Sequence, residues 1–294
     1  MTTYLVTGAN SGLGLETTRA LAARGERIIL AVRDLARGQL ALAEIARQFP
    51  HAKLELHALD LADLASVRAL AERDLGVDVL INNAGMGSGP RRLSAQGVVE
   101  QFAVNHLGHF ALVARMLPAL ATREAPRIVT VASGFGRKGA LDLANLDGSR
   151  GYSQGRAYMQ SKLANALFAA ELDRRLRAHG SRVKSVIAHP GIAATPMQQK
   201  PTGVMGVVSR IVSAVLARSA ANGALPIVEA ATGAAVHSGD VYGPGKGNTD
   251  PPRKEPTWPS MTDLEGARAL WIRSEQLTGL ELLGSARGGT RDAS

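Results

Sequence analysis

Short apolar runs alternate with longer amphipathic segments from the N-terminus to about residue 188. Alternation of strands with helices favours βαβ units and a parallel sheet. The runs are almost unbroken by polar residues, which is typical of strands that are covered on both faces. The predicted strands are Tyr4–Val6, Arg27–Val32, Leu54–Ala58, Val77–Ile81, Arg127–Val131 and Val183–Ala188.

Helical spacing of apolar residues fills the intervals between these strands. The predicted helices are Leu13–Ala23, Leu35–Arg47, Gly97–Leu120, Ala157–Ala178 and Asp263–Leu277. We therefore predict an α/β fold, a single doubly wound Rossmann-type domain with a parallel sheet and helices on both faces, over residues 1–284. Residues 196–260 are expected to cover the substrate, and the Gly- and Pro-rich part of it, 243–259, to be irregular. The small polar residues 285–294 are expected to form a disordered tail.

Composition excludes several classes of protein. The chain has no cysteine, so disulfides, thiolate catalysis and zinc–cysteine sites are excluded, and a cytoplasmic location is expected. The net charge is +9, but the basic residues are scattered rather than clustered, which argues against a nucleic-acid partner. No run approaches the roughly 20 apolar residues that span a bilayer, so no membrane span is expected.

The first predicted strand ends in a glycine-rich turn that opens the first helix. The turn contains Gly8, Asn10, Ser11, Gly12, Leu13 and Gly14. Glycines let the backbone approach a pyrophosphate closely, and the helix N-terminus presents free N–H groups to it. Glycines also make ordinary turns, but the strand–turn–helix context favours a dinucleotide site.

The end of the second strand carries the residues that select the cofactor. An NAD site places a carboxylate here to bind the ribose hydroxyl, whereas an arginine accommodates the 2′-phosphate of NADP. Arg33 can bind phosphate through two N–H groups, and the charge argument favours NADP(H) over NAD(H). Asp34 follows directly and keeps NAD(H) open.

Tyr158 and Lys162 are four residues apart on a predicted helix and so share one face. A free tyrosine has a pKa of about 10, too high for an efficient base near neutral pH. A neighbouring ammonium favours the phenolate, so we expect Lys162 to lower the pKa of Tyr158. The spacing by itself is common among ordinary exposed helices.

Further motifs occur in a fixed order with this pair, and together they resemble the short-chain dehydrogenase/reductase family over roughly residues 3–195. The matching pieces are TGANSGLG from Thr7, Asp60-Leu61, NNAG from Asn82, Asn105 in VNHLGHF, Ser133, Tyr158 with Lys162, and Pro190-Gly191 with Thr195. The stretches VNHLGHF, RGYSQGRAYMQSKLANALF and AHPGIAATPM most resemble the retinol dehydrogenase-like branch. Protochlorophyllide reductases are more distant relatives.

The resemblance implies an oxidoreductase that interconverts a carbonyl and an alcohol, and it implies a role for each matching residue. Tyr158 would be the general acid and base, Ser133 would polarise the substrate oxygen, and Lys162 would bind the nicotinamide ribose. Asn105 would hold a water that links Lys162 to solvent. The implied cofactor contacts beyond the glycine-rich turn are Arg33, Asp60, Leu61, Asn83, Ala84, Gly85, Tyr158, Lys162, Pro190, Gly191, Ile192 and Thr195.

Two departures from that branch bear on function. Ala132-Ser133 stands where its members often carry two serines, which leaves Ser133 as the one candidate hydroxyl there. An N-terminal membrane segment, common among retinol dehydrogenases, is not seen, which puts a membrane retinoid substrate in doubt. A reductase of a carbon–carbon double bond and a non-catalytic NADP(H)-binding regulator are the alternatives. The absence of cysteine weakens the first alternative, and the presence of Tyr158 with Lys162 weakens the second.

Several features are interpreted as structural or stay open. His106 and His109 are interpreted as helix scaffolding, and no metal site is predicted. Trp258 and Trp271 are interpreted as packing residues, although Trp258 can also line the pocket. The partner is a small-molecule carbonyl or alcohol whose identity should depend on residues 197–224 and the Gly- and Pro-rich segment. Relatives include homo-oligomers joined through the Asn105 and Tyr158 helices as well as monomers, so the oligomeric state stays open.

Overall fold

The computed structural model describes residues 1–87, 89–191, 220–245 and 250–284. These residues form one eight-stranded sheet in the order β3-β2-β1-β4-β5-β6-β7-β8. The strands are β1 Thr3–Thr7, β2 Arg27–Val32, β3 Lys53–Ala58, β4 Val79–Asn82, β5 Arg127–Val131, β6 Lys184–Ala188, β7 Val241–Gly243 and β8 Arg253–Glu255.

Helices cover both faces of this sheet. They are α1 Gly12–Ala22, α2 Leu35–Gln48, α3 Leu64–Ala71, α4 Glu100–Phe102, α5 Gly108–Ala121, α6 Gln154–Ala178, α7 Ala220–Thr232 and α8 Leu264–Thr278. A π-helical turn, Ala103–Leu107, joins α4 to α5. Short 3₁₀ turns lie at Gly134–Lys138, Leu143–Asn145 and Pro259–Met261. No helix in the described ranges is long and apolar enough to cross a bilayer.

The doubly wound α/β prediction is confirmed, but several elements were missed or misplaced, including α7 and β7, which were not predicted. The segment 243–259 is not wholly irregular, because β8 pairs antiparallel with β7 through Tyr242 and Lys254 and adds an edge to the parallel strands. Helix α3 was not predicted, although Asp63 caps it by accepting a hydrogen bond from the N–H of Ala65 (2.9 Å). The predicted helix Gly97–Leu120 begins three residues later and is divided by the π-helical turn.

The apolar core lies in two layers, one on each face of the sheet. The layer beneath α3, α5, α6 and α8 contains an aromatic cluster around Trp271, which is fully buried. The Trp271 ring stacks on Phe168 with centroids 5.7 Å apart and meets the edge of Phe110 at 5.4 Å. The Arg175 guanidinium lies 4.3 Å from the indole centroid. Helix α8 thereby fastens α5 and α6, which carry much of the site described below.

We expect Trp271→Ala to reduce the free energy of unfolding by about 3–5 kcal/mol, since it removes the centre of a buried aromatic cluster. Ile272→Ala, at the next residue of the same helix, is the control because that side chain is 51% exposed. Its effect should stay within about 0.5 kcal/mol. Urea denaturation measures both, and equal losses for the two variants would contradict the packing role of Trp271.

Candidate active site

A cleft of about 610 Å³ opens at the carboxyl ends of β1, β2 and β4. Ligands of open α/β sheets bind where neighbouring connections diverge at this edge. The cleft gathers most of the residues expected to contact the cofactor, namely Gly8, Asn10, Ser11, Gly12, Leu13, Gly14, Arg33, Asp60, Leu61, Asn83, Ala84 and Gly85. Sequence reasoning did not single out Arg37, Met86, Gly87 or Val104, which also line it.

The glycine-rich turn between β1 and α1 is shaped by close backbone contacts. A Cβ on Gly14 would lie 2.3 Å from the carbonyl oxygen of Gly8 and 2.5 Å from the side-chain nitrogen of Asn83. Ser11 precedes α1 in an extended conformation, and its side chain makes no capping hydrogen bond. The first N–H groups of α1 therefore suit a bound anion.

Three side chains at the end of β2 give the cleft its charge. Arg33 and Arg37 both line it and are both exposed. Asp34 caps α2, because its carboxylate accepts a hydrogen bond from the N–H of Arg37 at 3.0 Å. The aspartate therefore has a structural partner, whereas the two guanidinium groups are exposed at the wall of the cleft.

The turn after β4 is held against β1 by one hydroxyl group. Thr7 Oγ1 accepts hydrogen bonds from the N–H groups of Asn83 and Ala84, each at 2.9 Å. The Asn83 side chain also donates to the carbonyl oxygen of Thr7 at 2.8 Å. These bonds keep the floor of the cleft next to the glycine-rich turn.

Helix α6 carries Tyr158 in its second turn and Lys162 one turn later. The Lys162 ammonium is 3% exposed and donates to the carbonyl oxygen of Val131 at 3.0 Å. Asn165 donates to the same oxygen at 3.3 Å. A Cβ on Gly85 would lie 3.5 Å from Lys162 Nζ, so this ammonium adjoins the floor of the cleft.

Burial sets the protonation of both side chains. It raises the pKa of Tyr158, against a hydrogen bond with Ser133 that lowers it. Burial lowers the pKa of Lys162 to about 8. The expectation that Lys162 lowers the pKa of Tyr158 is therefore wrong for this structure. The physical reason is desolvation, which disfavours the charged form of each group.

Ser133 follows β5 and is 4% exposed. Its hydroxyl caps the 3₁₀ turn Gly134–Lys138, accepting a hydrogen bond from the N–H of Phe135 at 3.3 Å. The Phe135 ring is 43% exposed and meets Tyr158 edge-on with centroids 6.4 Å apart. Sequence reasoning missed this apolar side chain, which lies two residues after a predicted catalytic serine and adjoins Tyr158.

Asn105 lies in the π-helical turn, a departure from α-helical geometry that is frequent at functional sites. Its side-chain oxygen accepts from the N–H of Met86 (2.8 Å). Its amide nitrogen donates to the carbonyl oxygen of Met86 (3.0 Å) and to the Ser161 hydroxyl (2.9 Å). Ser161 was not predicted, and it connects Asn105 to the helix of Tyr158 and Lys162.

Pro190 and Gly191 follow β6, and the N–H of Gly191 donates to His189 Nδ1 at 3.2 Å. Ile192 and Thr195, the last two predicted cofactor contacts, lie outside the described residues. His189 also contacts Glu255 of β8 at 3.0 Å. Arg137 pairs with that carboxylate and lies over the ring of the buried Trp258 at 4.6 Å. Glu255 was not anticipated because its segment was expected to be irregular.

The two histidines of the α4–α5 region are both buried and bind different elements. His106 Nε2 lies 2.8 Å from the Ser274 hydroxyl of α8. His109 Nε2 lies 2.9 Å from the Thr7 hydroxyl. In the part of the chain that the structure describes, no three His, Asp or Glu side chains cluster in a way that could hold a metal ion.

Comparison with known proteins identifies the family. Residues 2–203 match the family model described as short chain dehydrogenase. The chain belongs to the short-chain dehydrogenase family. It is 37% identical over 284 residues to polyprenol dehydrogenase from Mus musculus, covering 94% of this chain and 83% of that protein. It is also 37% identical over 289 residues to retinol dehydrogenase 13 from Homo sapiens, covering 95% and 85%.

A crystal structure of an uncharacterized protein from Mycobacterium Paratuberculosis has a similar fold. It is 39% identical in sequence, with a TM-score of 0.79, and the match covers 96% of this chain and 95% of that one. The predicted resemblance to the retinol dehydrogenase-like branch of the short-chain dehydrogenases is confirmed. The chain is accordingly an oxidoreductase of a family that carries out carbonyl and alcohol redox chemistry.

The buried lysine of this short-chain dehydrogenase should make stability depend on pH. The folded pKa of Lys162 is about 8, against an ordinary 10.5, so between these values the unfolded chain binds more protons. The free energy of unfolding should therefore rise with pH through that window. Lys162→Met removes the buried charge. At pH 7 its free energy of unfolding should therefore exceed that of the unmodified protein, by at most about 3 kcal/mol.

Urea denaturation at pH 7 and pH 10 measures this difference. The difference in the free energy of unfolding between Lys162→Met and the unmodified protein should narrow as the pH rises, because the lysine is then uncharged in the folded state and increasingly so in the unfolded state. Lys53→Met changes an exposed lysine at the start of β3 and is the control. A gap of the same size at both pH values would show that the charge of Lys162 is not the cause.

Proposed function

We propose that this protein is an NADP(H)-dependent oxidoreductase that reduces a carbonyl to an alcohol, or the reverse, with Tyr158 as general acid and base. One observation carries the proposal. A buried Lys162 ammonium lies one helical turn from Tyr158 on α6 and adjoins Gly85, which lines a cleft shaped for a dinucleotide. Ser133 acts on the same tyrosine, since it lowers the pKa of Tyr158 against the effect of burial. A buried titratable group with a shifted pKa beside a cleft is a candidate for a chemical role.

The cleft fits a nicotinamide dinucleotide at its phosphate end. Gly14 is packed so closely that it leaves no room for a side chain, and the N–H groups at the start of α1 are suited to bind an anion. When bound, the nicotinamide supplies or accepts the hydride. Gly8–Gly14 would hold the pyrophosphate, Asp60 and Leu61 the adenine, and Asn83–Gly85 the adenosine ribose.

The protein's own groups would handle the proton and the substrate oxygen. A phenol whose pKa is raised by burial keeps its proton at neutral pH, which suits Tyr158 as the proton donor to a carbonyl oxygen. The Ser133 hydroxyl would donate a hydrogen bond to the same oxygen as it gains negative charge. Lys162 would stabilise that charge and bind the nicotinamide ribose, while Asn105 fixes the floor of the cleft through Met86.

The preference for NADP(H) rests on the charges at the end of β2. Arg33 and Arg37 line the cleft, and Asp34 is used to cap α2. Two guanidinium groups can bind a 2′-phosphate with charge-assisted hydrogen bonds. A carboxylate that accepts from a backbone N–H is less free to bind a ribose hydroxyl.

The substrate is proposed to be an apolar aldehyde or ketone, or the matching alcohol. The exposed Phe135 ring next to Tyr158 offers an apolar wall beside the reacting oxygen. The relatives named as polyprenol and retinol dehydrogenases support an apolar alcohol.

Tyr158→Phe should lower turnover by about 10²–10⁴-fold, the usual contribution of a positioned acid or base. Affinity for NADPH should remain within about twofold, because the phenyl ring fills the same space and a lost neutral hydrogen bond is a small term. Steady-state assays with NADPH and a panel of apolar ketones and aldehydes give turnover, and fluorescence titration gives affinity.

Tyr152→Phe is the matched control. Its hydroxyl donates to the carbonyl oxygen of Gly89 (2.7 Å) or Gln101 Oε1 (2.7 Å), and Tyr152 does not line the cleft. Comparable turnover by Tyr158→Phe and Tyr152→Phe, with both variants folded, would refute the assignment of Tyr158 as the general acid and base. Reduction of an enone at its carbon–carbon bond instead of its carbonyl would change the reaction class.

Arg33→Ala should weaken NADPH binding by about 1.5–3 kcal/mol, roughly 10- to 150-fold, because a charge-assisted contact is lost. Binding of NADH, which lacks the 2′-phosphate, should change far less. Isothermal titration with both cofactors measures the difference. Arg268→Ala removes an exposed arginine from α8 and should alter neither affinity. Equal weakening of both cofactors by Arg33→Ala would make Asp34 the selecting residue.

A further inference from the structure

The imidazole of His109 lies between Thr7 at the end of β1 and Asn105. Asn105 in turn contacts α6, which carries Tyr158 and Lys162 and is called the catalytic helix below. The imidazole is 2% exposed, although both of its ring nitrogens face polar partners. Nδ1 lies 3.0 Å from the carbonyl oxygen of Asn105, and Nε2 lies 2.9 Å from the Thr7 hydroxyl. One ring thus touches a residue at the end of β1 and a residue in the π-helical turn.

The partners determine which nitrogen carries the proton. A carbonyl oxygen can only accept, so Nδ1 donates to Asn105 and Nε2 accepts from the Thr7 hydroxyl. Burial lowers the pKa of His109 to about 4, which keeps the ring neutral at physiological pH. The ring therefore acts as a fixed donor and acceptor rather than as a proton carrier.

The Thr7 side of the ring orients the floor of the cleft. With its hydrogen directed to His109, the Thr7 hydroxyl presents its lone pairs to the N–H groups of Asn83 and Ala84. Without His109, the Thr7 hydrogen has the carbonyl oxygen of Ile81 as its next acceptor, at 3.3 Å. That rotation would turn the lone pairs away from one or both amides.

The Asn105 side of the ring reaches the catalytic helix. The backbone carbonyl of Asn105 lies in the π-helical turn, and the side-chain amide of Asn105 is hydrogen-bonded to Met86 and to the Ser161 hydroxyl. Ser161 in turn donates to the carbonyl oxygen of Tyr158 at 2.8 Å. A series of hydrogen bonds therefore runs from the turn after β4, through Thr7 and His109, to Asn105, and from the Asn105 side chain through Ser161 to the backbone that carries Tyr158.

We propose that His109 is a positioning residue that keeps the cofactor-binding turn 83–86 in register with the catalytic helix. The proposal deepens the function proposed above and rests on it. His109 touches neither substrate nor cofactor in this role. It acts through Thr7 on the turn and through Asn105 on α6, so its removal should loosen both the cofactor site and the placement of Tyr158.

The chain offers a matched control three residues away. His106 is also buried, at 1% exposure, and burial lowers its pKa to about 3. Its Nε2 contacts Ser274 of α8, and its ring packs among Phe102, Phe110 and Phe168. His106→Phe therefore removes a buried imidazole from the same helical region without breaking the series to the cleft.

The first measurement uses the chain without cofactor. Hydrogen exchange followed by NMR should show the amides of Asn83 and Ala84 exchanging about 5- to 50-fold faster in His109→Phe than in His106→Phe, since a buried hydrogen bond is weakened. The ¹⁵N shifts of the unmodified His109 ring should identify the Nδ1–H tautomer. Equal exchange in the two variants, or an Nε2–H tautomer, would overturn the proposal.

The second measurement is a titration with NADPH and a kinetic assay. His109→Phe should weaken NADPH binding about 5- to 50-fold and lower kcat, while His106→Phe leaves affinity within about twofold. His109→Gln, which restores one donor and one acceptor, should regain part of the affinity. If His109→Phe does not fold, His109→Leu takes its place in the exchange comparison with His106→Phe.

The two proposals fail in different ways. An unmodified protein that binds neither NADPH nor NADH would refute the cofactor assignment, yet the exchange comparison would still decide whether His109 holds the turn. A protein that binds NADPH normally in both His109→Phe and His106→Phe would refute the positioning role and leave the oxidoreductase assignment intact.

Discussion

The adjacency of β1 and β4 at the centre of the sheet is the constraint on which the site depends. The chain crosses there from the β1-β2-β3 half to the β4-β5-β6 half, so the connections after β1 and β4 leave toward opposite faces. The divergence of these two connections opens a crevice between them, whatever side chains line it. What the sequence must supply is a set of turns that approach each other closely, and Gly14 packed against Gly8 and Asn83 meets that requirement.

The polar groups buried beside this crevice differ in their effect on stability. Lys162 is buried away from water with the Val131 carbonyl oxygen as its hydrogen-bond partner, and desolvation lowers its pKa. Asn105, His109 and Thr7 avoid a similar penalty because each is hydrogen-bonded to a neighbour. A protein selected only for stability would place apolar side chains there, so this polar layer indicates that the surrounding apolar core stabilises a functional arrangement.

Much of this organisation could be predicted from the sequence, for local reasons. Unbroken apolar strands such as Arg27–Val32 and Arg127–Val131 have the predicted bounds because neither face of the sheet meets water. The glycine-rich turn was predicted from its context between a strand and a helix, whereas Tyr158 and Lys162 were predicted from their spacing together with the order of the other motifs. Helix α3 was missed although Asp63 marks its start, because its eight residues give few repeats of the apolar pattern.

What could not be predicted depends on contacts between distant residues. Thr7 and His109 are 102 positions apart, and the sequence of either gives no sign of the other. Glu255 reaches Arg137 and His189 only because a short antiparallel edge strand forms in a Gly- and Pro-rich segment. The raised pKa of Tyr158 likewise follows from burial, which spacing does not reveal, and the i,i+4 rule alone gave the opposite sign.

The site thus consists of two parts with separate physical tasks. Backbone N–H groups and arginines at β1 and β2 would provide affinity for a polyanionic cofactor, while Tyr158, Ser133 and Lys162 would handle a proton and a developing charge. Residues 83–86 belong to both parts, since they line the cleft and are bound by Asn105. Because function depends on the site rather than on the fold, the choice of substrate would belong to neither part but to the side chains around Tyr158, of which Phe135 is one.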